Sequence, residues 1–157
     1  MSFSPGWRKL LLTLHVATSV GFIGAVAAFL ALAIAGLAGT PAVYIGLPVI
    51  TWDVIVPLAI ASLMVGIVQS LGTPWGLVRH YWLAVKLALT LLALIVLLLQ
   101  TDTIDTLAVF AAAGSIGSAT LEGQWAMVLH SAGGLLVLLA ATVLSTYKPR
   151  GLTGLNF

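Results

Sequence analysis

Of the 157 residues, 61% are hydrophobic and only 6% are charged, and the mean hydropathy is +1.19. Soluble domains carry roughly a quarter charged residues, so this composition excludes an ordinary soluble domain and predicts an integral membrane protein. The absence of cysteine excludes disulfides and thiolate metal sites, and the few dispersed basic residues form no aromatic-interleaved patch of the kind that binds nucleic acid.

The first predicted helix covers about residues 8–37, opening on Arg8 and Lys9. Its apolar run is longer than the ~7–15 residues of a signal-peptide core, which predicts a retained transmembrane helix and not a cleaved leader. At 100° per residue His15 shares a face with Leu11, Thr18, Ser19, Phe22, Val26 and Phe29. The opposite face carries a small-residue stripe that includes Ala17, Gly21, Gly24 and Ala28, and such stripes let helices approach closely in lipid, here as a candidate homodimer or larger-complex interface. A second helix is predicted at about 52–72, with Ser62, Gly66 and Gln69 on its polar face. The third, at about 80–100, places Lys86, Thr90 and Gln100 on one side. An extracytoplasmic connection follows at about 101–124, rich in small residues, with an amphipathic piece around 104–113. The fourth helix, at about 125–147, carries His130, Gly134 and Ser145. The expected fold is all-α, a single membrane domain over 1–157 built as a four-transmembrane-helix bundle.

With the N-terminus inside, Arg8, Lys9, Arg79, Lys86, Lys148 and Arg150 all fall on the inner side, and Asp53, Asp102, Asp105 and Glu122 on the outer. That arrangement obeys the positive-inside rule and predicts both termini to be cytoplasmic. Trp7, Trp75, Trp82 and Tyr147 then mark the inner interface, and Trp52 and Trp125 the outer one.

Depth follows from the helical rise. Counted from Trp7, His15 lies ~12 Å into the membrane; counted from Arg79 or His80, Lys86 lies ~9–10 Å in. Gln69 falls at a similar level or slightly shallower, whereas His130 lies roughly 13 Å further along the normal than His15. Two imidazoles on one iron need ring nitrogens about 4 Å apart, from metal–nitrogen bonds of ~2.0–2.1 Å. The depths therefore argue against His15 and His130 clamping one haem within a chain. Ionisable groups in lipid usually mark functional sites, but plainer roles stand beside that one. His15 could be a neutral ring bonded to Gln69 or Thr18, Lys86 could snorkel to the inner headgroups, and His130 could donate to a backbone carbonyl or to Asp53. There is no HExxH, Walker loop or nucleophile elbow.

Leu14-His15 followed by Gly21 and Gly24, the segment Trp82-Leu83-Ala84-Val85-Lys86-Leu87, and the ending Tyr147-Lys148-Pro149-Arg150-Gly151 resemble a group of uncharacterised bacterial four-helix integral membrane proteins. More distantly, over helix one and the start of helix three, the chain is similar to HemJ-type protoporphyrinogen oxidases and to the membrane region of CopD copper-resistance proteins. In the HemJ type a first-helix His and the Lys of a W-L-x-x-K-L segment matter for haem b binding and activity, and these match His15 and Lys86. The resemblance implies a protein of the bacterial cytoplasmic membrane that holds haem b, or less readily a metal ion, for electron transfer or porphyrin redox chemistry, and the depths of His15 and Lys86 set that site near the inner third of the bilayer. His15 would be an axial ligand, and Lys86 would pair with a propionate, ligate or move a proton; Gln69 and His130 complete the candidate binding residues. Two other functions remain open. One is a non-catalytic accessory or assembly subunit packing through Ala17, Gly21, Gly24 and Ala28; the other is a small proton-coupled transporter using His15, Gln69 and Lys86.

Overall fold

The computed structural model describes residues 3–72, 79–149 and 151–153; Trp75 and Arg150, assigned above to the inner interface, lie outside them. The described chain is helical almost throughout, and its one β-like feature is an isolated antiparallel bridge between His80 and Leu152. Four helical stretches are long and apolar enough to cross a membrane: Pro5–Leu37, Pro41–Leu71, Tyr81–Ala112 and Ser118–Tyr147.

Helix α1 (Pro5–Leu37) starts with proline in its first turn, where the missing N–H costs nothing. Its 33 residues extend about 50 Å at 1.5 Å per residue. Phe22, Val26, Phe29, Ala33 and Gly36 form its buried face, a continuation of the line that carries His15. The following stretch is irregular: a 3-10 helix (Pro41–Gly46), one α turn (Leu47–Val49) and a π-helical segment (Ile50–Ile55) lead into α2 (Val56–Leu71). Prolines at 41, 48 and 57 account for this, since each removes a backbone donor from the ladder. Pro57 cannot serve the Asp53 carbonyl, and the Val56 N–H reaches back five residues to Thr51 in the wider π register. Helical backbone thus begins at Pro41 and not near residue 52, as the apolar run alone suggested.

The stretch expected as a long connection is also mostly helical. Helix α3 (Tyr81–Leu99) gives way at Gln100 to α4 (Thr101–Ala112), and a 3-10 turn (Ser118–Thr120) leads directly into α5 (Leu121–Tyr147). Only 113–117 lacks helical structure. The physical reason is the amphipathic face of α4, where Thr101, Ile104 and Leu107 are buried as it packs on the 41–49 segment.

Helix α1 packs against both α2 and α5, α3 packs on α5, and α2 and α3 meet only sparsely. The bundle therefore leaves a gap between α2 and α3. The start of α1 and the end of α5 sit at one end, because Arg8, Lys9 and Lys148 line a single cavity there. The C-terminal strand-like tail is tied to the start of α3, with Tyr81 N–H donating to the Gly151 carbonyl at 3.4 Å and Thr153 N–H to the Arg79 carbonyl at 3.0 Å.

The end opposite the termini is closed by a buried polar cluster. Tyr44, 0% exposed, donates its hydroxyl to Gln124 Oε1 at 3.4 Å. Gln124 Nε2 donates to Thr120 Oγ1 at 3.1 Å, and Thr120 donates in turn to the Gly117 carbonyl at 2.9 Å. Tyr44→Phe leaves the Gln124 oxygen short of a donor and should cost about 1 kcal/mol, to be read as a lowered thermal unfolding midpoint in detergent.

Candidate functional site

The gap between α2 and α3 is a cavity of about 670 Å³, reached by side chains of α1, α2, α3 and α5. His15 is the imidazole on its wall. The His15 Nδ1 lies 3.1 Å from the Ser62 carbonyl of α2. A carbonyl only accepts, so Nδ1 carries the proton and donates, which leaves Nε2 with a free lone pair. That lone pair faces Lys86 Nζ of α3 at 3.2 Å, and Lys86 is the donor of the pair.

Close approach of α1 to α2 makes this possible. A Cβ built on Gly66 would lie only 3.0 Å from His15 Cε1 and 3.4 Å from Nδ1, so a side chain there would meet the imidazole. One turn away, the Ser19 and Ser62 hydroxyls bond to each other at 2.8 Å. The ring is thus held between a glycine and a carbonyl on one helix, with its acceptor nitrogen turned to the third.

Gln69 lines the same cavity, but it does not bond His15; its Oε1 is buried and has no hydrogen-bond partner among the described residues. Thr18 is not a partner of the ring either. Its hydroxyl donates back to the Leu14 and His15 carbonyls at 2.8 and 3.2 Å. The alternative in which His15 is satisfied by Gln69 or Thr18 gives way to Ser62 and Lys86.

Among the described residues, charge on the cavity wall is of one sign. Arg8, Lys9, Lys86 and Lys148 line it, and among the described residues no Asp or Glu does. Comparisons with protein-family models, with curated proteins and with solved structures found no match. The chemistry of the site therefore rests on its own residues, which offer one oriented imidazole acceptor and a cluster of cations around a space large enough for a sizeable anionic ligand.

His130 sits elsewhere. Its Nδ1 donates to the Ala126 carbonyl of its own helix at 2.8 Å, and it lines a second cavity of about 250 Å³, which His15 does not reach. No group of three or more His, Cys, Asp or Glu is gathered among the described residues. On the small-residue stripe of α1, Ala17, Gly24 and Ala28 are exposed. Gly21 is half-buried, with Leu58 3.4 Å from where its Cβ would stand.

The functional partner that sequence reasoning missed is the Ser62 carbonyl. Main-chain acceptors carry no residue signature, and the readable hint was the small pair Ser62 and Gly66 on one face of α2.

Proposed function

We propose that the protein is a multi-pass protein of the bacterial cytoplasmic membrane, with both termini inside, and that its large cavity holds haem b. Lipid insertion is supported by the four long apolar helices and by the many large apolar side chains they leave exposed, among them Leu92, Ile95, Leu99, Leu129 and Leu136. Their cost in water is relieved only by an apolar surrounding. The basic end, marked by Arg8, Lys9 and Lys148, is the cytoplasmic one.

The observation that carries the haem reading is the His15 Nδ1–H donating to the Ser62 carbonyl. Metal-ligating histidines are held in this way, the second ring nitrogen fixed by a backbone carbonyl so that the first presents its lone pair. His15 Nε2 would hold the iron. Lys86, which caps that nitrogen at 3.2 Å, has a flexible four-carbon stem and can move off it to pair with a carboxylate. Arg8 and Lys9 add positive charge for a second carboxylate. Bound haem supplies one-electron redox chemistry, tuned by its axial ligand and by the dryness of its surroundings. With a single imidazole on the cavity wall among the described residues, the expected ligation is His15 alone or His15 with a Lys86 amine.

The test is an absorption spectrum of protein purified in mild detergent, oxidised and then reduced with dithionite. A Soret band is expected in the wild type, lost in His15→Ala and shifted or weakened in Lys86→Met. A folded protein with no Soret band after haem supplementation removes the reading.

A second reading draws on the exposed positions Ala17, Gly24 and Ala28, which suit close packing against another apolar helix. It makes the protein a non-catalytic subunit of a membrane complex. In that case Gly24→Ile abolishes co-purification of the partner or dimer, while His15→Ala leaves it intact.

A further inference from the structure

The second cavity lies between α3 and α5 and is closed on its inner side by α1. Its lining is apolar apart from Ser131, whose hydroxyl donates back to the Met127 carbonyl of its own helix, and from one end, where His130 of α5 and Gln100, at the junction of α3 and α4, both reach it. His130 Nδ1 is committed to the Ala126 carbonyl at 2.8 Å, so its Nε2 is an acceptor, and it has no partner among the described residues. The Gln100 side-chain amide likewise forms no hydrogen bond among them. Space is open beside two neighbouring glycines of α5: a Cβ on Gly133 or Gly134 would meet nothing within 4 Å.

Two further facts narrow the occupant. His130 and Gly133 are exposed, so the cavity opens sideways, toward the acyl chains if the helices span lipid. Phe22 and Leu138 line this cavity and also the large one that holds His15. The two spaces are therefore back to back, divided by one layer of side chains.

We propose that this second cavity binds a lipophilic quinol, its ring between α3 and α5 and its tail leaving through the open side. A ring hydroxyl donates to His130 Nε2, and a ring oxygen accepts from the Gln100 amide. A plain acyl chain fits the walls but engages neither polar group. A charged ligand finds no counter-charge, because no Lys, Arg, Asp or Glu lines the cavity among the described residues. At about 250 Å³ the space suits a single substituted ring and not a macrocycle. The choice of a redox-active ring, and not another hydroxylated apolar ligand, rests on the haem reading of the adjoining cavity; the polar end and open space do not.

The experiment is a calorimetric titration of decylubiquinol, kept reduced under anaerobic conditions, into haem-free protein in mild detergent. Saturable binding is expected, weakened about tenfold or more by His130→Leu, which removes the acceptor, and by Gly134→Leu, which fills the space. Gln100→Leu, on a different element, should weaken it similarly and guards against a fold defect confined to α5. Monodisperse elution and an unchanged helical circular dichroism signal are required of each variant. Non-saturable partitioning, or equal binding by the wild type and all three variants, overturns the proposal. Because the titration uses haem-free protein, saturable binding without any Soret band in the companion spectrum removes the haem reading alone. A Soret band without quinol binding removes this site alone.

Discussion

Gly66→Val is expected to separate the His15 ring from the Ser62 carbonyl and to abolish any His15-dependent Soret band, while Ser62→Ala preserves both. The wild-type glycine leaves the ring no slack, since a Cβ would lie 3.0, 3.4 and 3.7 Å from Cε1, Nδ1 and Nε2. Valine adds two methyl groups beyond that point, and in a helix its rotamer is nearly fixed. The imidazole cannot simply swing aside, because α1 is anchored on the same face by buried Phe22 and Val26. The helices must part or the ring must turn out, at about 1–3 kcal/mol for an overpacked contact. Ser62→Ala is the instructive contrast. It removes the 2.8 Å hydroxyl pair with Ser19, about 1 kcal/mol, yet the carbonyl that orients His15 belongs to the backbone and survives. Nitrogen NMR of labelled histidine reads the same point without haem: Nδ1 protonation should persist in Ser62→Ala and be lost or averaged in Gly66→Val. A wild-type spectrum and tautomer in Gly66→Val would show that the glycine does not position the ring.

Much of this geometry could be counted along the chain, and the rest could not. Helical rise from Trp7 and from Arg79 put His15 and Lys86 at nearly one depth, and their side chains stand 3.2 Å apart. The same counting set His130 far from His15, and the two line separate cavities. Periodicity also marked the buried face of α1, since Phe22, Val26 and Phe29 recur at three- and four-residue spacing. What could not be read was pairwise. Nothing in one sequence says that α1 packs between α2 and α5 while α2 and α3 stand apart, and that spacing is what opens the cavity. The Ser62 carbonyl has no residue code. Prolines 48 and 57 warned of a broken ladder without saying that it would be met by a π-helical segment at Ile50–Ile55. The partner of α4 was equally hidden: Ile104 and Leu107 announced an apolar face, but only the fold supplies the 41–49 segment that covers it.

That segment gives the largest expected structural effect, in Gly36→Leu. Gly36 is buried in the last turn of α1, and the Tyr44 ring lies so close beneath it that any Cβ would overlap ring carbons and the hydroxyl. Tyr44 has no room to retreat, being 0% exposed alongside Leu47 at 0% and Thr51 at 0%. Its hydroxyl is also committed to Gln124 on α5. Displacing it opens the Tyr44–Gln124–Thr120 cluster and uncovers the faces of Ile104 and Leu107 that pack on the 41–49 segment. Several buried contacts then fail together, and the expected cost is about 3 kcal/mol or more. In detergent this should appear as a large drop in the unfolding midpoint or as loss of monodisperse protein. Pairing the substitution with Tyr44→Ala should recover part of the loss, because the obstructing ring is gone while the helix gains no further strain. If Gly36→Leu alone melts like the wild type, Tyr44 does not pack against α1 in this way. If Gly36→Leu and the double variant are equally impaired, the damage arises in α1 itself and not at its contact with Tyr44. The effect should also be local to one end of the bundle, since Gly36 lies about 30 Å along α1 from His15 at 1.5 Å per residue. Any variant protein that remains folded should therefore keep the His15–Ser62 bond, and the nitrogen NMR signature of His15 distinguishes a local opening from collapse of the whole bundle.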